Sequence, residues 1–118
     1  MKTFVVISTA GSEQEGWKIA KELVESDLAA CVNVIPGINS FFHWQGKLCR
    51  EPEVILIIKT MQRKFKKIIN EIKRIHSYEV PEIISLRVDG GEKNYLGWVR
   101  KMSGDGGKGV RIKRKRRA

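Results

Sequence analysis

The aliphatic run Val54-Ile55-Leu56-Ile57-Ile58 leaves this chain few choices of fold. Side chains along a strand alternate between two faces, so five consecutive aliphatic residues commit both faces to apolar surroundings. Phe4-Val5-Val6-Ile7 repeats the pattern near the start of the chain. Around these stretches the periodicity turns helical. Ser12 followed by Glu15 is a capping-box signature for a helix that carries Ile19, Ala20, Leu23 and Val24 on one face and ends near Ser26-Asp27. Phe65, Ile68, Ile69, Ile72 and Ile75 mark a second amphipathic helix, over Met61 to Ile75.

The strands are predicted over Thr3 to Ser8, Ala30 to Ile35, Glu53 to Thr60 and Ile83 to Val88. Pro36-Gly37 is expected to halt the second strand, because Pro presets φ and Gly tolerates positive φ. Ile38 to Trp44 then resumes extended structure up to a tight turn at Gln45-Gly46-Lys47. After Asp89-Gly90-Gly91 a last helix carries Tyr95, Trp98, Val99 and Met102 on one side. This order, βαββαβ plus a C-terminal helix, is an α+β, ferredoxin-like sandwich of the split βαβ type. Two helices cover one face of such a sheet, and here the other face is apolar too. Either the chain self-associates, which is the simpler cover, or the terminal helix and the Ile38 to Trp44 segment fold back over it.

A chain of 118 residues has room for one domain, taken as residues 1–102, followed by a basic, Gly/Lys/Arg-rich and flexible tail over 103–118. The net charge of +10 is mostly a property of that tail, which carries seven basic residues and no acid after Asp105. Residues 1–102 hold 16 cationic and 12 acidic side chains, a net +4. Nonspecific contact with polyanions through the tail is therefore one expected partnership. The longest aliphatic run falls far short of the ~18 residues that would suggest a membrane span, so no membrane association is expected. Two cysteines without a secretory pattern point to a reducing compartment, the cytoplasm, with Cys31 inert inside a strand and Cys49 more exposed beside Arg50.

Between the second helix and the fourth strand lies His76-Ser77-Tyr78-Glu79-Val80-Pro81-Glu82, where an imidazole, a phenol and two carboxylates crowd a backbone stiffened at Pro81. His76 and Glu79 are a donor pair suited to copper or zinc. The competing reading places His76 at a helix end, where positive charge is favourable, and pairs Glu79 with a lysine. No Gly-rich phosphate loop with its strand and helix is present, and no Ser/His/Asp arrangement is legible, so an enzyme is not expected.

Five segments together resemble the CutA, or divalent-cation tolerance, family. They are Leu28-Ala29-Ala30-Cys31-Val32-Asn33-Val34-Ile35-Pro36-Gly37, Trp44-Gln45-Gly46-Lys47, Ile57-Ile58-Lys59-Thr60, the His76 to Glu82 segment, and Tyr95-Leu96-Gly97-Trp98. The resemblance covers about Thr3 to Trp98. It implies a homotrimer of ferredoxin-like subunits whose sheets pack around a threefold axis, and a link to tolerance of copper and other divalent metals. On this basis a weakly bound divalent ion, copper foremost, is assigned to His76 and Glu79. Lys59, Tyr78, Glu82 and Trp44 are assigned to a binding pocket near a subunit boundary, with Lys59 facing Glu79 or Glu82. Trp44 with Phe41, Phe42 and His43 is also read as interface core. The family often has proline where Ser77 stands, and some copper-linked relatives have cysteine where Ser8 stands, which removes the softest ligand from the set.

Two other readings remain open. One is an interfacial small-molecule sensor or signalling scaffold in the manner of the trimeric PII proteins. The other is an RNA-binding module using the basic tail, although RNA-recognition sheets display aromatics on their central strands and here only Phe4 qualifies.

Overall fold

The structure is a computed structural model, and it describes residues 2–104. The greater part of the expected tail, residues 105–118, lies outside the described residues. Elements follow the order β1 (Thr3–Ala10), α1 (Glu13–Glu25), β2 (Cys31–Trp44), β3 (Lys47–Met61), α2 (Phe65–Ile75), β4 (Ile83–Arg87) and α3 (Lys93–Met102), with a 3-10 turn over Gln62–Lys64 leading into α2. The four strands form one antiparallel sheet in the order β2-β3-β1-β4.

One face of the sheet is the core. Val6 and Ala10 from β1, and Val54, Leu56 and Ile58 from β3, pack with Ile19 and Leu23 of α1 and Ile68 and Ile72 of α2, all essentially inaccessible to solvent. The opposite face is set by the intervening residues. Register places Asn33, Ile57, Ile7 and Ile84 side by side across the four strands, with Ile35 and Ile55 above and Cys31, Lys59, Val5 and Leu86 below. Helix α3 covers only one end, where Val99 packs with Met61 and Ala30 in a separate small cluster. Ile84 and Leu86 remain 50% and 53% exposed and Ile35 41%, so the fold-back alternative accounts for part of the open face and leaves its two edges bare.

Two expectations about β2 and β3 change. Pro36-Gly37 does not halt β2; the strand runs on through a bulge between Ile35 and Ile38, with Gly37 at φ 77°. A positive φ serves a bulge as well as a turn, so the same residue pair fits either. Pairing therefore continues from Cys31 to Trp44, and β3 begins at Lys47, six residues before the expected Glu53. Gln45 and Gly46, both at positive φ, form the expected tight turn. Because β1 pairs β3 only from Val54 onward, Ile38–Trp44 and Lys47–Glu53 project from the body as a two-stranded ribbon. At the other end of the chain, Ser103 is buried as the C-cap of α3, its hydroxyl donating to the Val99 carbonyl at 2.7 Å.

Candidate functional site

The segment after α2 is held in place by residues distant in sequence. His76 ends the helix by turning extended, and its side chain is wholly buried. Nε2–H donates to the Thr9 carbonyl at 2.7 Å, while Nδ1 accepts the Tyr78 amide at 2.9 Å. Both ring nitrogens are thus engaged, and the pattern of partners puts the proton on Nε2. Next to it, the Ser77 amide and hydroxyl donate to the two carboxylate oxygens of Glu15 at 2.7 and 3.0 Å, and the Gly11 amide donates to Glu15 at 3.2 Å. Glu15 is therefore only half of the expected capping box. Ser12 Oγ accepts the Glu15 amide at 3.1 Å, but the carboxylate reaches Gly11 and Ser77 instead of the Ser12 amide.

The loop also grips the root of the ribbon. The Tyr78 hydroxyl donates to Glu53 Oε2 at 2.6 Å, and Ser40 Oγ donates to Glu53 Oε1 at 2.5 Å. On the return, buried Ser8 Oγ donates to the Glu82 carbonyl at 2.6 Å. Ser8 is thereby committed to the backbone of the loop.

These contacts set the ionisation of two groups. Burial, then the hydrogen bond to Glu53 and the charge of its carboxylate, push the Tyr78 phenol well above its ordinary pKa. Partial burial works against the Glu15 carboxylate, but the Ser77 amide and hydroxyl and the Gly11 amide outweigh it and hold Glu15 below the usual carboxylate range.

The assigned residues fall in three places. His76, Tyr78, Glu79 and Glu82 share the loop, where Glu79 and Glu82 are exposed. Lys59 sits on the open sheet face between Cys31 and Val5, and its ammonium donates to Asn33 Oδ1. Within the chain, then, Lys59 has its partner on β2, and the expected pairing with Glu79 or Glu82 is replaced by this one. Trp44 stands at the ribbon tip, 57% exposed, with Phe41 and Leu48 also bare along the ribbon. Among the described residues no three His, Cys, Asp or Glu side chains converge to hold a metal ion. Cys31 and Cys49 are both free thiols. No helix among the described residues is long and apolar enough to cross a membrane.

Residues 4–102 match the family model described as CutA1 divalent ion tolerance protein. The chain belongs to the CutA1 family. It is 43% identical over 100 residues to the divalent-cation tolerance protein CutA of Thermus thermophilus, covering 85% of this chain and 97% of that one. The solved Thermus structure superposes with a TM-score of 0.85 at 42% identity, over 86% of this chain and 99% of the other. The structure of the periplasmic divalent cation tolerance protein CutA from Archaeoglobus fulgidus superposes with a TM-score of 0.82 at 42% identity, over 87% and 99%. The chloroplastic CutA of Arabidopsis thaliana is 40% identical over 98 residues, 83% of this chain, which spans about half (54%) of the plant protein. The Thermus and Archaeoglobus relatives carry the names of divalent-cation tolerance proteins.

Sequence reasoning missed Glu15 and Glu53, the two carboxylates that organise the loop. The only local sign was Glu15 in the capping box. For Glu53 the sequence offers only a place in a strand, and the structure sets it inside β3.

Proposed function

We propose that this CutA1-family chain works as a cytoplasmic homotrimer with a binding role, taking a divalent cation weakly in clefts between copies. The observation that carries this reading is the bare apolar surface of the single chain. The open face presents Ile7, Ile35, Ile55, Ile57, Ile84 and Leu86, and the ribbon adds Phe41, Trp44 and Leu48. Apolar surface of that extent calls for a second copy. A threefold arrangement of sheets lets each ribbon reach past its own body. Trp44 then joins Tyr78 and Glu82 by lying across the loop of a neighbouring copy, with Lys59 lining the same boundary. Two free thiols favour the cytoplasm.

In the same reading, His76 and Glu79 are the metal ligands and copper the preferred ion. The geometry attaches a cost, since a metal on the imidazole must displace the Tyr78 amide or the Thr9 carbonyl. Affinity is correspondingly modest. Sedimentation equilibrium tests the assembly: a mass about three times the 13.5 kDa chain is expected, and a single-chain mass at micromolar concentration overturns it.

A further inference from the structure

The net charge of the body comes from one segment. Residues 62–76 hold Arg63, Lys64, Lys66, Lys67, Lys73 and Arg74 against a single acid, Glu71, whereas the other described residues carry ten cationic and eleven acidic side chains. The segment is the 3-10 turn and α2. Helix α2 buries Ile68 and Ile72 against the sheet, and the 3.6-residue period places Lys66, Lys67, Asn70, Lys73 and Arg74 on its far side, all exposed. Glu71, the one acid on the helix, is engaged by Arg74 at 2.7 Å, which leaves the segment with a clear excess of positive charge.

The arrangement runs against helix physics. Carboxylates are favoured in a first helical turn and an acceptor side chain at the N-cap, yet α2 has neither, and Lys66 and Lys67 occupy that turn. A local rule broken without a compensating contact is expected where a surface serves a partner.

From this we infer that the outer face of α2 docks the phosphate backbone of nucleic acid, without reading its sequence. Lys66 and Lys73 lie two helical turns apart, roughly 10 Å, a length over which one strand of a duplex carries about three phosphates. The face lies on the helix side of the sheet, opposite the open apolar face, so association through that open face leaves it accessible. The sequence after residue 104 is basic too, with Lys108, Arg111, Lys113, Arg114, Lys115, Arg116 and Arg117. Nucleic acid is favoured over an anionic bilayer because the apolar side of α2 is spent in the core. A lipid surface would be offered charge alone, and lasting membrane attachment takes two signals.

The test is fluorescence anisotropy of the full chain with a short labelled duplex and a single strand of equal length, titrated across salt. Saturable binding is expected at about 50 mM salt, weakening linearly on a log–log plot. The triple variant Lys66→Gln, Lys67→Gln, Lys73→Gln should bind about tenfold or more weakly near 0.1 M salt, its slope shallower by about 2 to 3, with melting temperature and mass unchanged. An unchanged slope in the triple variant overturns the inference, since the contact then lies elsewhere. So does the absence of saturable binding at the low salt, or attachment to phosphatidylserine vesicles that the duplex fails to displace.

Discussion

The Tyr78 hydroxyl donates to Glu53 at 2.6 Å, tying the loop after α2 to the root of the projecting ribbon. Twenty-five residues separate the pair in sequence, and the contact is made where the ribbon leaves the body. Tyr78→Phe removes the donor while Ser40 still serves the other carboxylate oxygen. A hydrogen bond to a charged group in a partly buried setting is worth about 1 to 2 kcal/mol, so the melting temperature should fall by roughly 5 °C or more. The variant should also respond differently to alkali. Because the folded phenol holds its proton above the unfolded value near ~10, its stabilisation is complete below that pH and is lost as pH rises beyond it. Wild type should therefore lose stability above about pH 10 more steeply than Tyr78→Phe, as read by thermal melts across pH.

Glu15 gives the opposite limb. Its carboxyl pKa is held below the ordinary glutamate value of about 4.3 in the fold, so its contribution is present above that value and is lost as pH falls through the lower, folded one. Glu15→Gln keeps the shape and one acceptor but loses the charge-assisted bonds to Ser77 and Gly11. Acid unfolding monitored by circular dichroism should begin at higher pH in wild type than in the variant relative to each protein's neutral stability, and the variant should be less stable at pH 7. Equal stability at neutral pH would show that Ser77 is held by other means.

Gly16 tests the packing of α1 on the sheet. It is buried near the start of α1, and a Cβ there would stand 2.8 Å from Val54 Cγ2 and 3.4 Å from Val34 Cγ1. Alanine has the better helix propensity by about 1 kcal/mol. Overpacking a closed core costs about 1 to 3 kcal/mol, so Gly16→Ala should be neutral to destabilising where an exposed helical glycine would gain. Chemical denaturation of Gly16→Ala beside Gly97→Ala separates the cases, since nothing lies within 4 Å of a Cβ at Gly97.

Adjacent residues of β3 separate folding from assembly. Leu56 is fully buried against α1 and α2, while Ile57 faces the open side beside Asn33 and Ile7. An unpaired ammonium in the core is costly enough to unfold a domain of this size, so Leu56→Lys should give an unfolded or insoluble chain. Ile57→Lys should instead give a folded chain of reduced mass by light scattering. A fully assembled Ile57→Lys would remove the open face from the self-association surface.

How much of this could be read in the sequence follows from the range of each interaction. Alternation and helical spacing are local, so the core members Val6, Leu56, Ile58, Ile19, Leu23, Ile68 and Ile72 were legible, as was the apolar second face. Gly46 marked its turn because a two-residue hairpin demands positive φ. Pro36-Gly37 misled because turn and bulge make the same local demand, and only register tells them apart. Lys59 was recognised as unusual, but its partner Asn33 lies on the neighbouring strand, in a pairing that requires the register of β2 on β3. The loop was singled out for its polar side chains, and its anchors were not. Glu15 lies 62 residues from Ser77, a contact that no periodicity announces.

The metal reading of the loop makes the sharpest demand on His76. An imidazole with both nitrogens bonded in a buried site contributes structure first, and any ion it binds must repay a lost hydrogen bond. Calorimetry with copper should show weak binding in wild type and a loss of at least about threefold in Glu79→Ala, whose exposed carboxylate can be removed without disturbing the fold. His76→Gln should lose binding too, and some thermal stability with it, because the Thr9 carbonyl and Tyr78 amide lose their partner. Cys49→Ala should bind as wild type does. If copper binding survives both loop variants and vanishes with Cys49, the ion belongs to the ribbon thiol, and His76 and Glu79 are structural residues only.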